Sequence, residues 1–484
     1  MSDNLKKRTL TALIWSFIDK CGQQVLYFIS GVILANLLTP DDYGKIGVLT
    51  IFITLSSILI DSGFGSALIR KKEASNADFS TIFYFNLGIS ILFYIILFFS
   101  APFIADFFEI PSLTLICRIL FLSIILHGFS LIQQVQFTKQ IAFTHLARIN
   151  IIAILIGSTT AILYALIEGG VWALVIQQLV TALAKAVMLW IFSKWRPTAT
   201  FRKESLKESL AYSSNLIGTG LLNAIYNNIY TLLIGKIYGT TSVGYYSQAF
   251  KFQDIPSSLI ALIFRSVGFP VLASVNDDHE RMIRIFRKYI RTIAFFIFPL
   301  MMLLIVVADP FIRILLTDKW EATIPYLQLL CIAGAFSPFI IFYYDLFNTI
   351  GRSDINFKTE LVKKLSLTIG IVCCFSQGII SLIWLWVAYT LLSLLASVVL
   401  GAHYTGYRTR QFLRDIAPSL AITILSGIGA AIAFRYCSTN LLRLILPSIA
   451  FASIYILAGR IARIEMWREI RILLGKESPN DETR

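Results

Sequence analysis

Thr81-Ile-Phe-Tyr-Phe-Asn-Leu-Gly-Ile-Ser90-Ile-Leu-Phe-Tyr-Ile-Ile-Leu-Phe-Phe-Ser100-Ala-Pro-Phe-Ile104 contains no acidic or basic side chain. A hydrocarbon core about 30 Å thick needs roughly 20 apolar helical residues, so this run is long enough to cross a bilayer. Working outward, comparable runs fill the chain from Ala12 to about Ala458. They predict fourteen spans, centred near residues 26, 55, 90, 122, 159, 181, 223, 255, 302, 337, 372, 392, 426 and 451. The fold class this implies is an all-α polytopic membrane protein.

The basic residues fall in every second gap. One side holds Lys6, Lys7 and Arg8; Arg70, Lys71 and Lys72; Lys139 and Arg148; and the cluster from Lys194 to Lys207. The same side takes Arg281 to Arg291, Arg352 to Lys364, Arg408 to Arg414, and the tail from Arg460. Opposite gaps hold Lys45, Lys236, Arg313, Lys319, Arg435 and Arg443. Because Lys and Arg are retained in cytoplasmic loops, the richer side is expected in the cytoplasm, with both termini.

The chain is 57% hydrophobic, against about 45–50% for a soluble protein. A net charge of +14 would suggest nucleic acid in a soluble chain, but topology accounts for these residues, and no nucleic-acid partner is expected. Cys21, Cys117, Cys331, Cys373 and Cys374 lie in or beside spans and Cys437 near the outer face, which is not a disulfide framework. Lys6-Lys7-Arg8 before an apolar run imitates a signal peptide, yet no small-residue cleavage site follows, so the run reads as the first helix. The outer loops are too short for a soluble domain.

Two internal echoes set the architecture. Leu34-Ala-Asn-Leu-Leu-Thr-Pro-Asp-Asp-Tyr-Gly44-Lys-Ile46 corresponds to Ile234-Gly-Lys-Ile-Tyr-Gly-Thr-Thr-Ser-Val-Gly244-Tyr-Tyr246, with Gly44 falling on Gly244. Ala101-Pro-Phe-Ile104 likewise matches Asp309-Pro-Phe-Ile312. Both agree on a six-span unit, and an even number of spans keeps the two copies parallel. Parallel repeats build two-lobed transporters.

An ionisable side chain at a helix centre costs roughly 2.5–3.5 kcal/mol on insertion scales, so the exceptions carry information. Lys20, Lys185, Lys251, Arg265 and Arg118 are expected either to line a wet cavity and hold an anionic group, or to snorkel or pair structurally. Lys251 and Asp254 share a helix face, as a structural bridge or an ion-coupling site. Asp19 and Lys20 are adjacent and cannot pair within one helix. Asp345, among Tyr343, Tyr344 and Phe347, is a candidate proton carrier. Asp19, Asp254 and Asp345 are therefore the ion-coupling candidates. Gln24, Asn223 and Asn227, with Gln23, Asn215, Gln177 and Gln178, form polar stripes that suit either sugar hydroxyls or helix–helix contacts.

Enzyme chemistry finds no foothold. There is no phosphate-binding loop for nucleotide hydrolysis, so an ion gradient or consumption of the transported substrate is the expected drive. His127, His145, His279 and His403 are too scattered for a metal site. Asp277-Asp278-His279-Glu280 precedes a basic helix and reads as its N-terminal cap. No catalytic residue, metal or cofactor is expected.

The motifs themselves form an ordered set: Leu34 to Gly44, Asp61-Ser-Gly-Phe-Gly-Ser-Ala-Leu-Ile-Arg70, Gly170-Val-Trp-Ala-Leu174 and Asn228-Ile-Tyr-Thr-Leu-Leu-Ile-Gly-Lys236. Gly244-Tyr-Tyr-Ser-Gln-Ala249, Phe269-Pro-Val-Leu272 and Gly351-Arg-Ser-Asp354, followed by Lys363-Lys364, continue it. In these the chain resembles the polysaccharide exporters, or lipid-linked oligosaccharide flippases, of the multidrug/oligosaccharidyl-lipid/polysaccharide exporter superfamily. The likeness is to the colanic acid and teichuronic acid exporter type. It implies six-helix lobes at 1–200 and 201–405, then two extra helices and a basic cytoplasmic tail at 406–484. It also implies alternating access in the bacterial cytoplasmic (inner) membrane. The substrate would be undecaprenyl diphosphate bearing an oligosaccharide repeat, for O-antigen, capsule or exopolysaccharide. Membrane lipid, a polysaccharide polymerase and a chain-length regulator are the implied partners. Many relatives carry an acidic residue where Tyr230 stands, so ion coupling is not carried to that position. The rival readings are a multidrug or small-solute antiporter of the same superfamily, which would want an acidic cavity, a membrane-embedded polymerase, and an assembly scaffold.

Overall fold

The computed structural model describes residues 2–61, 63–71, 74–275 and 278–462. Readings that rest on Lys72, Asp277, the basic tail beyond Ala462, or the side chains of Lys6, Lys7, Arg8, Asn215 and Phe269 lie outside the described residues.

Among the described residues every regular element is helical. The first eight helices are α1 (Ser2–Leu37), α2 (Pro40–Asp61), α3 (Phe64–Arg70), α4 (Asn76–Phe108), α5 (Leu113–Leu120), α6 (Leu122–Lys139), α7 (Phe143–Ile167) and α8 (Trp172–Phe192). Then follow α9 (Lys203–Tyr238), α10 (Thr240–Ser274), α11 (His279–Leu316), α12 (Thr323–Thr349), α13 (Ser353–Cys374), α14 (Ile379–Thr405), α15 (Thr409–Arg435) and α16 (Asn440–Ile461). A single 3-10 turn, Asp318–Trp320, separates α11 from α12.

Each predicted centre falls within a helix. Among the described residues, 11 helical stretches are long and apolar enough to cross a membrane. α1, α9 and α13 fall outside that set, and each carries charged or amide residues along its length, from Asp19 to Gln24, Asn223 to Asn228 and Asp354 to Lys364. Large apolar side chains cover the outside: Phe103 is 75% exposed and Ile167 83%. Patches of this extent mark contact with lipid or partner rather than water. The chain is an all-helical, multi-pass membrane protein.

Local sequence explains the helix ends. Ser75 and Asp78 form a reciprocal capping box at the start of α4. Asp278 caps α11, its carboxylate accepting from the Arg281 N–H at 3.0 Å, as the acidic cluster suggested. The proline echo keeps its register too. Pro102 lies six residues before the end of α4 at Phe108, and Pro310 six before the end of α11 at Leu316.

The chain packs as two compact units, residues 1–247 and 248–484. In the first, α7 lies between α1 and α8, α6 packs on α4 and α8, and α9 on α2 and α4. Here the glycine echo acquires a physical cause. A Cβ on Gly44 would run into the Thr240 carbonyl oxygen, and one on Gly244 into the Pro40 carbonyl oxygen. The first turns of α2 and α10 thus cross in backbone contact, each using the residue four positions into its helix. Asp41 also accepts a hydrogen bond from the Thr240 hydroxyl at this crossing.

In the second unit α11 packs on α12, α15 and α16, and α14 on α12 and α13. Asp415 on α15, its side chain 2% exposed, receives Arg287 Nε and Nη2 at 2.8 and 2.9 Å and Arg291 Nε at 2.9 Å. The Tyr407 hydroxyl donates to it at 2.8 Å. These bonds pin α11 to α15.

Candidate functional site

Gln177, Thr181 and Lys185 follow one another at intervals of four on α8, and so share a helix face. Ser123 and His127 share a face of α6 in the same way, and Ile53 and Ser57 a face of α2. Together with Tyr27 of α1 and Gln178, these faces line a cavity of about 510 Å³ inside the first unit. That volume is within the ~300–1,000 Å³ range of small-molecule sites.

The approach of α7 fixes the back wall. A Cβ on Gly157 would meet the Thr181 hydroxyl and the Gln177 carbonyl, so only glycine lets α7 and α8 lie this close. Gln177 Nε2 then donates to Ser158 Oγ at 3.2 Å and to Ser30 Oγ at 3.4 Å. These bonds orient its amide from α7 and from α1 behind it.

Lys185 is the cation of the cavity. Asp19 lies close enough to act on it electrostatically, without a direct hydrogen bond. The Asp19 carboxylate is itself held by amides. Gln23 Nε2 donates at 2.7 Å, and Asn150 Nδ2 donates to both oxygens at 3.1 and 3.2 Å. The ammonium can therefore face the cavity while its counter-charge stays anchored between α1 and α7.

The other predicted residues lie elsewhere. Lys20 is exposed on α1, and Gln24 is half-buried one turn farther on. Arg118 on α5 stacks 4.5 Å from the Phe98 ring centroid, and its Nε donates to the Phe98 carbonyl at 3.5 Å. Asn223 and Asn227 are exposed on α9.

In the second unit, Arg265 of α10 and Asp345 of α12 meet as an ion pair at 3.5 Å. The carboxylate is 3% exposed and the guanidinium 60%, so the charge projects from a buried anchor. Asp345 Oδ2 is buried and meets no partner among the described residues. Asp254 is half-buried, with Lys251 one turn before it, and Ser258 one turn on donates to the Ile255 carbonyl at 3.2 Å. Around Pro256, Gln253 donates to Ser257 Oγ at 2.9 Å, and Ser257 donates to the Gly334 carbonyl at 3.1 Å. Proline leaves a gap in the helix ladder, and these bonds tie α10 to α12 beside it.

The structure thus groups Lys185 with Asp19, Gln177 and Gln178, and Arg265 with Asp345. Sequence reasoning passed over His127, Thr181 and Asn150 as site residues. The four-residue spacing of Gln177, Thr181 and Lys185 was a usable signal. Asn150, 131 residues from Asp19, gave none. Among the described residues no three His, Cys, Asp or Glu side chains gather as a metal site.

Residues 33–325 match the family model described as a polysaccharide biosynthesis protein. The chain is 24% identical over 430 residues to the teichuronic acid biosynthesis protein TuaB of Bacillus subtilis, spanning 88% of this chain and 89% of that one. It is 25% identical over 438 residues to the lipopolysaccharide biosynthesis protein WzxC of Escherichia coli, with the same coverage of 88% and 89%. To the succinoglycan biosynthesis transport protein ExoT of Rhizobium meliloti it is 24% identical over 429 residues, 88% of this chain and 85% of that one. Its fold is similar to that of the lipid II flippase MurJ in an inward closed conformation. The TM-score is 0.74 at 15% identity, covering 95% of this chain and 99% of that one. An inward-facing MATE family multidrug transporter of the MOP superfamily aligns with a TM-score of 0.59 at 18% identity, covering 82% and 95%.

Proposed function

Because this chain belongs to the polysaccharide biosynthesis protein family, we propose that it is a flippase for undecaprenyl-diphosphate-linked oligosaccharide repeat units. The lipid moves from the inner to the outer leaflet of the bacterial cytoplasmic membrane. Movement is by alternating access between parallel lobes of six helices, with two further C-terminal helices and both termini in the cytoplasm. The drive is an ion gradient, with Asp19, Asp254 and Asp345 as the coupling candidates. No covalent chemistry is required.

The observation that carries this reading is the cavity itself. Lys185 supplies positive charge for a phosphate, and Gln177, Gln178 and the neighbouring hydroxyls supply partners for sugar oxygens. Lys20, Lys251 and Arg265 are the candidate cations for later positions along the route, with Arg118, Gln24, Asn223 and Asn227 as further contacts. A membrane-embedded polysaccharide polymerase and a chain-length regulator would receive the product.

The second reading is a multidrug antiporter, since a MATE transporter shares the fold. The charge of the cavity speaks against cationic drugs. Among the described residues, Lys185 is its only lysine or arginine lining residue and no carboxylate lines it. Proteoliposomes carrying a fluorescent undecaprenyl-diphosphate oligosaccharide and an impermeant quencher distinguish the two. Protein-dependent crossing of the sugar lipid, but not of a phospholipid probe, is the expected result. Lys185→Ala should slow it by roughly tenfold or more, since a hydrogen bond to a charged group is worth about 1.5–3 kcal/mol. Equal crossing of both probes would mean a scramblase, and no crossing under an imposed ion gradient would favour the antiporter.

A further inference from the structure

His127 stands one turn beyond Ser123 on α6. His127 is one of the residues lining the cavity, and its Nε2 is buried and meets no hydrogen-bond partner among the described residues. A buried polar group left unpaired in a packed interior is uncommon and calls for a cause. A cavity that periodically fills with a polar ligand supplies one.

Charged and polar groups near the ring come from α1, α2 and α8. Burial bears most on the ring, and Asp61 at the end of α2 and Lys185 of α8 act on it electrostatically with opposite signs. Tyr27 of α1 and Thr181 of α8 share the cavity wall. From α4, Ser90 packs on the adjoining Gly128, a contact so close that a Cβ there would collide with the serine hydroxyl. Asp19 bears on Lys185 but is already held by Gln23 and Asn150. Imidazole is the side chain whose unperturbed charge change falls between about pH 5 and 8.

We propose that His127 and Lys185 form a two-cation site for a diphosphate group, and that protonation of His127 switches its strength. With the ring neutral, Lys185 alone faces the ligand. Once a proton is bound, Nε2–H becomes a second charged donor, and the site grips a dianion through both groups. This inference rests on the flippase reading and adds to it a proton-controlled affinity.

The test uses the full-length protein in nanodiscs and a short-chain dialkyl diphosphate, a diester that stays fully ionised at both pH values compared. Wild type should bind it about tenfold more tightly at pH 5.5 than at pH 8.0, the effect expected of one added charge-assisted hydrogen bond. His127→Gln should keep the pH 8.0 affinity and lose the pH dependence. Lys185→Gln should bind more weakly at both pH values yet retain the dependence. His127→Lys, charged throughout, should bind at pH 8.0 as wild type does at 5.5, which separates a lost switch from a misfolded variant. His145→Gln, near the start of α7, should behave as wild type.

Binding by wild type that is equal at both pH values but weakened by Lys185→Gln would overturn the switch and leave the anion cavity standing. Retention of the full pH dependence by His127→Gln would overturn the switch in the same way. Absence of binding in every variant at either pH would overturn the flippase reading along with this inference.

Discussion

Asp415 illustrates what a single carboxylate can do in this molecule. In sequence, Arg287 and Arg291 read as topology markers, two of many basic residues on the cytoplasmic side. Their spacing of four puts both on one face of α11, and that face meets a carboxylate 124 residues farther along, which no local pattern announces. Removing one partner of a buried ion pair leaves the others uncompensated and typically costs ~3–5 kcal/mol. Asp415→Ala leaves two half-buried guanidiniums facing each other, so its expected loss of stability is in that range. Tyr407→Phe removes one of several donors to that carboxylate and leaves the ion pairs in place, so it should cost less, about 1.5–3 kcal/mol. Thermal unfolding of the detergent-purified variants checks the order. Equal midpoints for both would mean that water already solvates the cluster. The same logic separates Lys185 from Arg118. The first faces a cavity and should matter to transport, whereas the second is stacked on Phe98 and should matter first to stability.

Helices reveal more of themselves in sequence than contacts do. The fourteen apolar centres all fall within helices because span length and hydropathy are local properties. The echo of Gly44 in Gly244 and of Pro102 in Pro310 is legible for the same reason. That the two glycines belong to one crossing is not legible, because it depends on which carbonyl each helix meets. The sequence offers His127 only as a scattered imidazole unfit for a metal site, and the cavity it lines requires faces of four helices to be aligned. The crossing makes its own prediction. Gly44→Ala or Gly244→Ala must push backbone from backbone and should cost about 1–3 kcal/mol, as overpacking does. Gly88→Ala on α4, where a Cβ would meet nothing within 4 Å, should be neutral or slightly stabilising, since alanine favours helix. Comparing unfolding midpoints of the three tests the crossing directly, and a midpoint for Gly44→Ala no lower than that for Gly88→Ala would argue that the helices are free to separate there.

At the scale of the whole molecule, charge bias and helix count make a joint claim about topology. Lys and Arg gather in alternate gaps, and an even number of crossings is needed to keep both termini on the cytoplasmic side. The 11 stretches that are apolar enough by composition are an odd number and would place the termini on opposite sides. The difference lies in α1, α9 and α13, whose polar residues are what a helix facing a wet interior should carry. α9 offers the sharpest test. Between Lys203, exposed at its start, and Asp318, exposed in the 3-10 turn after α11, lie α9, α10 and α11. Three crossings put those positions on opposite sides of the membrane, and two put them on the same side. In a variant lacking the six native cysteines, Asp318→Cys should react with an impermeant maleimide in intact cells. Lys203→Cys should react only after permeabilisation. Reaction of both in intact cells would mean that α9 does not cross, which would remove the parallel six-helix repeat and with it the alternating-access geometry. Protection of Asp318→Cys with ready reaction of Lys203→Cys would instead invert the orientation, and would set the dense basic side against the prevailing rule of membrane insertion.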